Sequence, residues 1–396
     1  MTQMKPTPFM GGRMSLVISN TSKVVSIAKA PGVLKLFGEH AVVYGRKCVA
    51  FALDRYATAK IFKYKDSLIS ILLKDKGQRF EIDRDLAIAV QSLYDNNPEY
   101  ISFSFSDLSK QYNKFLMAGK HRIMLDKGLF NEICAYGIIV SQFMKKNENI
   151  FRIRAEISSN IPERKGLASS ASCFVAFAAA LAGICSKKFS DREIIEIARH
   201  GEIIAHKNRN AGRIDTAASY FGGLVSYKAG RIVKYDISDL DILKSTDLIV
   251  IDTGPKKSTA ETVNHVRLLY KKDKRSVENI FDNIESCAGI GLKSLLHNKL
   301  EQFGAEMYRN QALLAQLGIS TKNLDLVVDI CKANNAYGAK LSGGGGGGIA
   351  ISFASKKISK SLIRAIEQKG FKTFKSSISK NGAREFVREH YKTYLN

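Results

Sequence analysis

The chain runs to 396 residues, 45% apolar and 25% charged, an ordinary soluble composition with length enough for two separately cored domains. No run reaches the ~18–20 consecutive apolar residues of a membrane-spanning helix; Phe174–Ala182, among the longest, stops at Gly183. The net charge is +24, but Lys and Arg are spread along the chain and not interleaved with stacking aromatics, so the pattern is that of a basic surface that concentrates anionic substrates rather than of a nucleic-acid interface.

In chain order, residues 1–22 read as a tail, and no continuous apolar stretch follows Lys5 and Arg13 as a secretory signal would require. Val24–Ala30 alternates and is β-branched, a strand running into Pro31-Gly32. Val49–Phe62 reads as a strand with Leu68–Leu73 as its hairpin partner, while 83–127 mixes helical and turn signals. Phe151–Ile157 alternates as a half-buried strand, and a helix is expected from Ser169 to about Ile184. Ser190 and Glu193 form a capping box that opens the next helix, on which Glu202 and His206 stand four residues apart. Leu224–Val233 reads as a hairpin and Leu248–Asp252 as a buried strand. Helices dominate from Glu261 to Ala333, and Gly338–Phe353 gives strand, glycine loop and strand. Strands and helices without regular βαβ spacing predict an α+β fold. The expected units are an N-terminal domain over 23–240 and a C-terminal domain over 241–396. Cys48, Cys134, Cys173, Cys185, Cys287 and Cys331 are scattered, with no Cys-x-x-Cys pair, which argues against zinc or a disulfide framework and for a reducing, cytoplasmic setting.

Three segments carry chemistry. Pro162-Glu163-Arg164-Lys165-Gly166-Leu167-Ala168-Ser169-Ser170 lies between a strand and a helix, where backbone N–H groups and the helix N-terminus converge and favour phosphate. Taken alone, Ser-Ser ahead of an Ala-rich helix is also an ordinary N-cap. Ala30-Pro31-Gly32-Val33-Leu34-Lys35-Leu36-Phe37-Gly38-Glu39-His40 puts Glu39 and His40 in a turn after a strand, where polar side chains can orient a hydroxylated ligand. Gly343–Gly348 supplies six glycines between apolar strands, which allows close backbone approach to a ligand or another loop.

All three, taken in chain order with Ala30–His40 first, resemble the signatures of the GHMP kinases, and Gly-Glu-His-Ala-Val-Val-x-Gly at 38–45 is particularly similar to mevalonate kinases. Gly201-Glu202, Ile214-Asp215, Gly222-Gly223 and Asn310-Gln311-Ala312-Leu313-Leu314 extend the resemblance over roughly Val24 to Phe353. It implies a two-domain fold with ATP and a small alcohol in the cleft between domains, mevalonate being the expected acceptor in isoprenoid biosynthesis. The alternatives it leaves are another acceptor, phosphomevalonate or a sugar, and a binding protein whose catalysis has lapsed. It further implies that Lys165, Gly166, Leu167, Ala168, Ser169 and Ser170 wrap the ATP phosphates, and that Ser170 and Glu202 hold Mg²⁺. Asp215 would act as base or electrostatic anchor, and Glu39, His40, Thr259, Gly343 and Gly344 would line the acceptor site. No nucleic-acid or membrane partner is expected, and a homodimer is left open.

The chain departs from that pattern where mevalonate kinases place Lys directly after Ala-Pro-Gly; here the residue is Val33. Lys35 lies two positions on, and strand side chains at i and i+2 share a face roughly 6–7 Å apart, so Lys35 can supply the cation. Arg213, where Gly is usual before Ile-Asp, is the competing candidate. Arg164 and Ala168 replace glycines of the phosphate loop, whose spelling is also similar to mevalonate diphosphate decarboxylases, and Cys173 stands for the usual tyrosine.

Overall fold

The structure is a computed structural model that describes residues 24–96, 104, 106–108, 110, 129–146, 150–163, 165–209, 211–240, 244–254 and 259–384. The expected tail (1–22), Arg164 and most of 97–127 lie outside the described residues. The expected α+β arrangement is observed, as two sheets flanked by helices.

The first sheet has seven strands: β1 (Val24–Phe37), β2 (Cys48–Lys63), β3 (Ile69–Leu73), β4 (Gln78–Ile82), β5 (Ile153–Ser159), β6 (Leu224–Lys228) and β7 (Arg231–Tyr235). The first strand does not end at Pro31-Gly32. It continues to Phe37 against β2, with register shifts at Pro31/Val33 and Lys35/Phe37, because a proline without an N–H is tolerated at an irregularity in the ladder. The expected pairing of 68–73 with β2 is also corrected. β3 pairs β4 antiparallel and β5 parallel, while β2 itself pairs β5, β6 and β1. β5 carries Ile153, Ala155 and Ile157 inward, and its fit between β2 and β3 displaces the local hairpin.

Helices α1 (Arg84–Asp95), α2 (Phe130–Met144), α3 (Ser169–Ala182), α4 (Asp191–His206) and α5 (Arg213–Phe221) accompany this sheet. The third is buried almost all round, from Ala171 and Ser172 through Ala182, as expected of a helix apolar on every face. The fourth opens on the Ser190/Glu193 capping box and buries Ile194, Ile195, Ile197, Ala198 and Ile203.

The second sheet, all antiparallel, runs β11-β8-β10-β9, with β8 at Thr246–Asp252, β9 at Gly338–Ser342, β10 at Ile349–Ser355 and β11 at Lys372–Ser376. Around it stand α6 (Thr259–Lys272), α7 (Lys274–Leu296), α8 (Leu300–Gln316), α9 (Lys322–Ala333) and α10 (Lys356–Glu367). The sheets share core. The Phe37 and Phe303 rings meet edge-on at 5.9 Å, Phe303 and Phe353 at 5.3 Å, and Phe51 approaches Phe353 at 6.4 Å, separations at which aromatic pairs attract beyond their burial. That seam holds the end of β1, which carries the Gly38-Glu39-His40 turn, against the strand-loop-strand of β9 and β10.

Candidate active site

A cleft of about 1450 Å³ opens along the seam and gathers residues from all three segments. From the first come Lys35, Glu39 and His40, from the second Gly166, Leu167, Ala168, Ser169 and Ser170, and from the third Gly343 and Gly344. Glu202, Arg213, Asp215 and Thr259 also line it. Of the site residues expected from sequence, Lys165 alone is not on the wall; its Nζ instead lies 2.7 Å from Asp252 Oδ2.

The phosphate-loop segment is tied to β1 by Val33 N–H donating to the Leu167 carbonyl (3.0 Å). Ser172 Oγ and Ser219 Oγ both donate to the Pro31 carbonyl, at 2.8 and 2.7 Å, so one backbone oxygen anchors α3 and α5 together. The loop turns through Gly166 (φ 81°) and Ala168 (φ 55°), both left-handed. Ala168 occupies the N-cap of α3 and no side chain caps that helix. The Ser169-Ser170 pair is therefore not a cap; the first-turn N–H groups and both serines lie beside the cleft, the arrangement that favours an anion.

Lys35 Nζ donates to Asp215 Oδ1 at 2.6 Å, with side chains 18% and 15% exposed. Burial works against the Lys35 ammonium, but Asp215, with Cys48 and Glu39 adding, outweighs it and raises the pKa above that of a free lysine. Val33, on the same face of β1, is buried. Arg213, the competing candidate, directs Nη1 to Tyr227 Oη at 2.9 Å.

Glu39 is 2% exposed and pairs through Oε1 with Lys340 Nζ, which also donates to the Leu341 carbonyl (2.6 Å). Both side chains are wholly buried, and burial lowers the Lys340 pKa against the pull of Glu39. Glu39 Oε2 is buried without a hydrogen-bond partner. His40 Nε2 lies 2.9 Å from the Gly344 carbonyl oxygen; a carbonyl only accepts, so Nε2 carries the proton.

Glu202 is 4% exposed. Its Oε2 is 3.4 Å from His206 Nε2, and this carboxylate raises the His206 pKa over the opposing effect of burial. Its Oε1 is buried and has no hydrogen-bond partner. Among the described residues no three His, Cys, Asp or Glu side chains gather as a metal cage. One orphaned carboxylate oxygen and the Ser170 hydroxyl on the same cleft wall fit Mg²⁺, which binds few protein oxygens and keeps water and phosphate ligands. Cys173, also on the wall, has its thiol pushed up to about 12 by burial and is no nucleophile at neutral pH.

Sequence reading missed the Lys340 partner of Glu39, the Asp252 partner of Lys165, and the face of α6 that brings Val263, Asn264 and Arg267 to the cleft. The i, i+4 recurrence of Thr259, Val263 and Arg267 was the available signal.

The GHMP kinases N terminal domain family matches residues 134–223, and the GHMP kinases C terminal family matches 292–373. The chain is 30% identical over 350 residues to the mevalonate kinase of Methanocaldococcus jannaschii, covering 88% of this chain and 98% of that one. It is 28% identical over 366 residues to the mevalonate kinase of Pyrococcus furiosus, covering 90% and 97%. A crystal structure of mevalonate kinase matches with a TM-score of 0.66 at 26% identity over 89% of this chain and 99% of that one.

Proposed function

Since this chain belongs to the mevalonate kinase family of GHMP kinases, we propose that it transfers the γ-phosphoryl group of ATP to the 5-hydroxyl of mevalonate. The observation that carries the proposal is the 2.6 Å Lys35–Asp215 pair on the wall of the cleft that also holds the phosphate loop. A catalytically lapsed scaffold has no use for a largely buried cation restored two residues from the place where its relatives' motif has it.

Phosphoryl transfer asks a protein for positioning and charge stabilisation rather than covalent chemistry. The N–H groups of 166–170 and the α3 N-terminus cradle the ATP phosphates. Asp215 takes a hydrogen bond from the acceptor hydroxyl and accepts its proton as the oxygen attacks. Lys35 orients the Asp215 carboxylate through their 2.6 Å contact and favours the developing negative charge on the oxygen. Glu39, His40, Thr259, Gly343 and Gly344 shape the acceptor side of the cleft. Ser170 Oγ and Glu202 Oε1 would hold Mg²⁺, whose charge, when bound, offsets that of the transferring phosphoryl group. Release of ADP in a coupled assay with mevalonate, phosphomevalonate and galactose tests the reading. Turnover with mevalonate is expected. Turnover only with another acceptor reassigns the substrate, and nucleotide binding without any turnover makes the chain a lapsed kinase.

A further inference from the structure

We propose that Asp252 is a positioning residue of the phosphate loop: through Lys165 it clasps the loop onto the second sheet, so that the loop's N–H groups stay aimed into the cleft. The inference rests on the reading of 166–170 as the nucleotide-binding loop.

Asp252 ends β8 and is held on both oxygens. Its Oδ1 accepts from the Gly254 N–H at 3.0 Å, and its Oδ2 receives Lys165 Nζ at 2.7 Å. The next residue is fastened to the glycine loop, with Thr253 N–H and Oγ1 both donating to the Gly348 carbonyl at 2.8 and 3.0 Å. Asn323 Nδ2 donates to the Thr253 carbonyl at 2.9 Å. The carboxylate is thus pre-oriented by backbone that belongs to the second sheet, whereas the loop carrying Lys165 is tied on its other side to the first sheet by Val33 N–H and the Leu167 carbonyl.

The loop reaches the second sheet again one residue later. A Cβ on Gly343 would stand 3.2 Å from the Gly166 carbonyl oxygen, tighter than an ordinary contact, and Gly343 itself has φ 87°, so a side chain there would strain the close approach of the two loops. The ion pair and this contact flank the start of the loop. The loop needs such restraint because Ala168, not glycine, occupies a left-handed conformation, which persists only where neighbouring structure over-determines it.

Lys165 lies outside the cleft wall, so the clasp and a direct phosphate contact predict different behaviour. Nucleotide affinity is measured calorimetrically with a non-hydrolysable ATP analogue and no acceptor, on the wild type, Lys165→Met, Asp252→Asn and the double variant, each checked by thermal melting. For a clasp, both single variants weaken binding by a similar factor of about three to five, as befits a partly exposed pair, and the double variant is no weaker than either. Lys165→Arg, which keeps the charge, restores affinity. Weakening by Lys165→Met alone, with Asp252→Asn neutral or tighter, would make Lys165 a phosphate ligand and overturn the proposal. Additive losses, or none in any variant, overturn it as well. Should the wild type bind no nucleotide, the kinase reading fails instead, a result distinct from each of these.

Discussion

Lys35→Met is the sharpest test of the reaction chemistry. The substitution keeps the length and apolar stem of the side chain but removes the ammonium that sits 2.6 Å from Asp215 Oδ1. With both side chains at least four-fifths buried, the lost charge-assisted hydrogen bond is at the upper end of the ~1.5–3 kcal/mol range for such bonds. In the proposed reaction the same cation would favour the oxygen where charge develops, so most of that loss should fall on the transition state, and about 3 kcal/mol corresponds to roughly 10²-fold in kcat. Nucleotide affinity should change little. Asp215→Asn should cost about as much, and the double variant little more than either, because the two residues act as one unit. Arg213→Met, whose Nη1 is occupied by Tyr227, should lower kcat far less. Steady-state kinetics with mevalonate and ATP decide the matter. If Arg213→Met lost activity while Lys35→Met kept it, the cation would have been assigned to the wrong residue.

Glu202→Gln and Ser170→Ala should each raise the Mg²⁺ concentration needed for half-maximal turnover by more than roughly tenfold, the lower bound for groups that merely support a metal ligand; an unchanged Mg²⁺ titration in both would remove them from the metal site. Lys340→Met strands the Glu39 carboxylate in a wholly buried place and should destabilise the fold by about 3–5 kcal/mol, with much of the loss recovered in Glu39→Gln/Lys340→Met. Denaturant melts that show no recovery in the double variant would refute the pairing argument. His200 has its pKa held down to about 4, by burial first and by Arg199 next. An unfolded histidine protonates near ~6.5, so the unfolded state gains protons first, and stability, complete above that pH, falls toward pH 4 by on the order of 3 kcal/mol. His200→Phe should flatten this acid slope in urea melts; an unchanged slope would mean that His200 is solvated.

What could be read from the sequence, and what could not, divides by the range of the interaction. Periodicity and punctuation act over a few residues, and the features they govern were legible. The capping box at Ser190 and Glu193, the strand-loop-strand of 338–353 and the alternation of β5 all stand where the sequence puts them. The meeting of Lys35 with Asp215, 180 positions apart, followed from the resemblance to the kinase motifs; the period of a β-strand added only that positions 33 and 35 share a face. Alternation, however, says which face is buried and not which strand lies alongside. Ile69–Leu73 looked like a neighbour of β2 because it follows it, and β5, some eighty positions later, took the place.

The same limit shaped the site. A conventional motif reading puts Lys165 on phosphate and Glu39 on the acceptor, since each stands in a ligand-binding segment. The partner of each, Asp252 and Lys340, comes from the second sheet, where nothing in local spacing announces it. Both pairs join the N-terminal motifs to the strands around the glycine loop, and so does the His40 contact to Gly344. Charged groups on the first two motifs therefore serve partly to fix the cleft's two walls against each other. That explains how this chain can spell its phosphate loop with Ala168 in place of glycine: the geometry that glycine gives without strain is enforced here from outside the loop, by the strands it rests on.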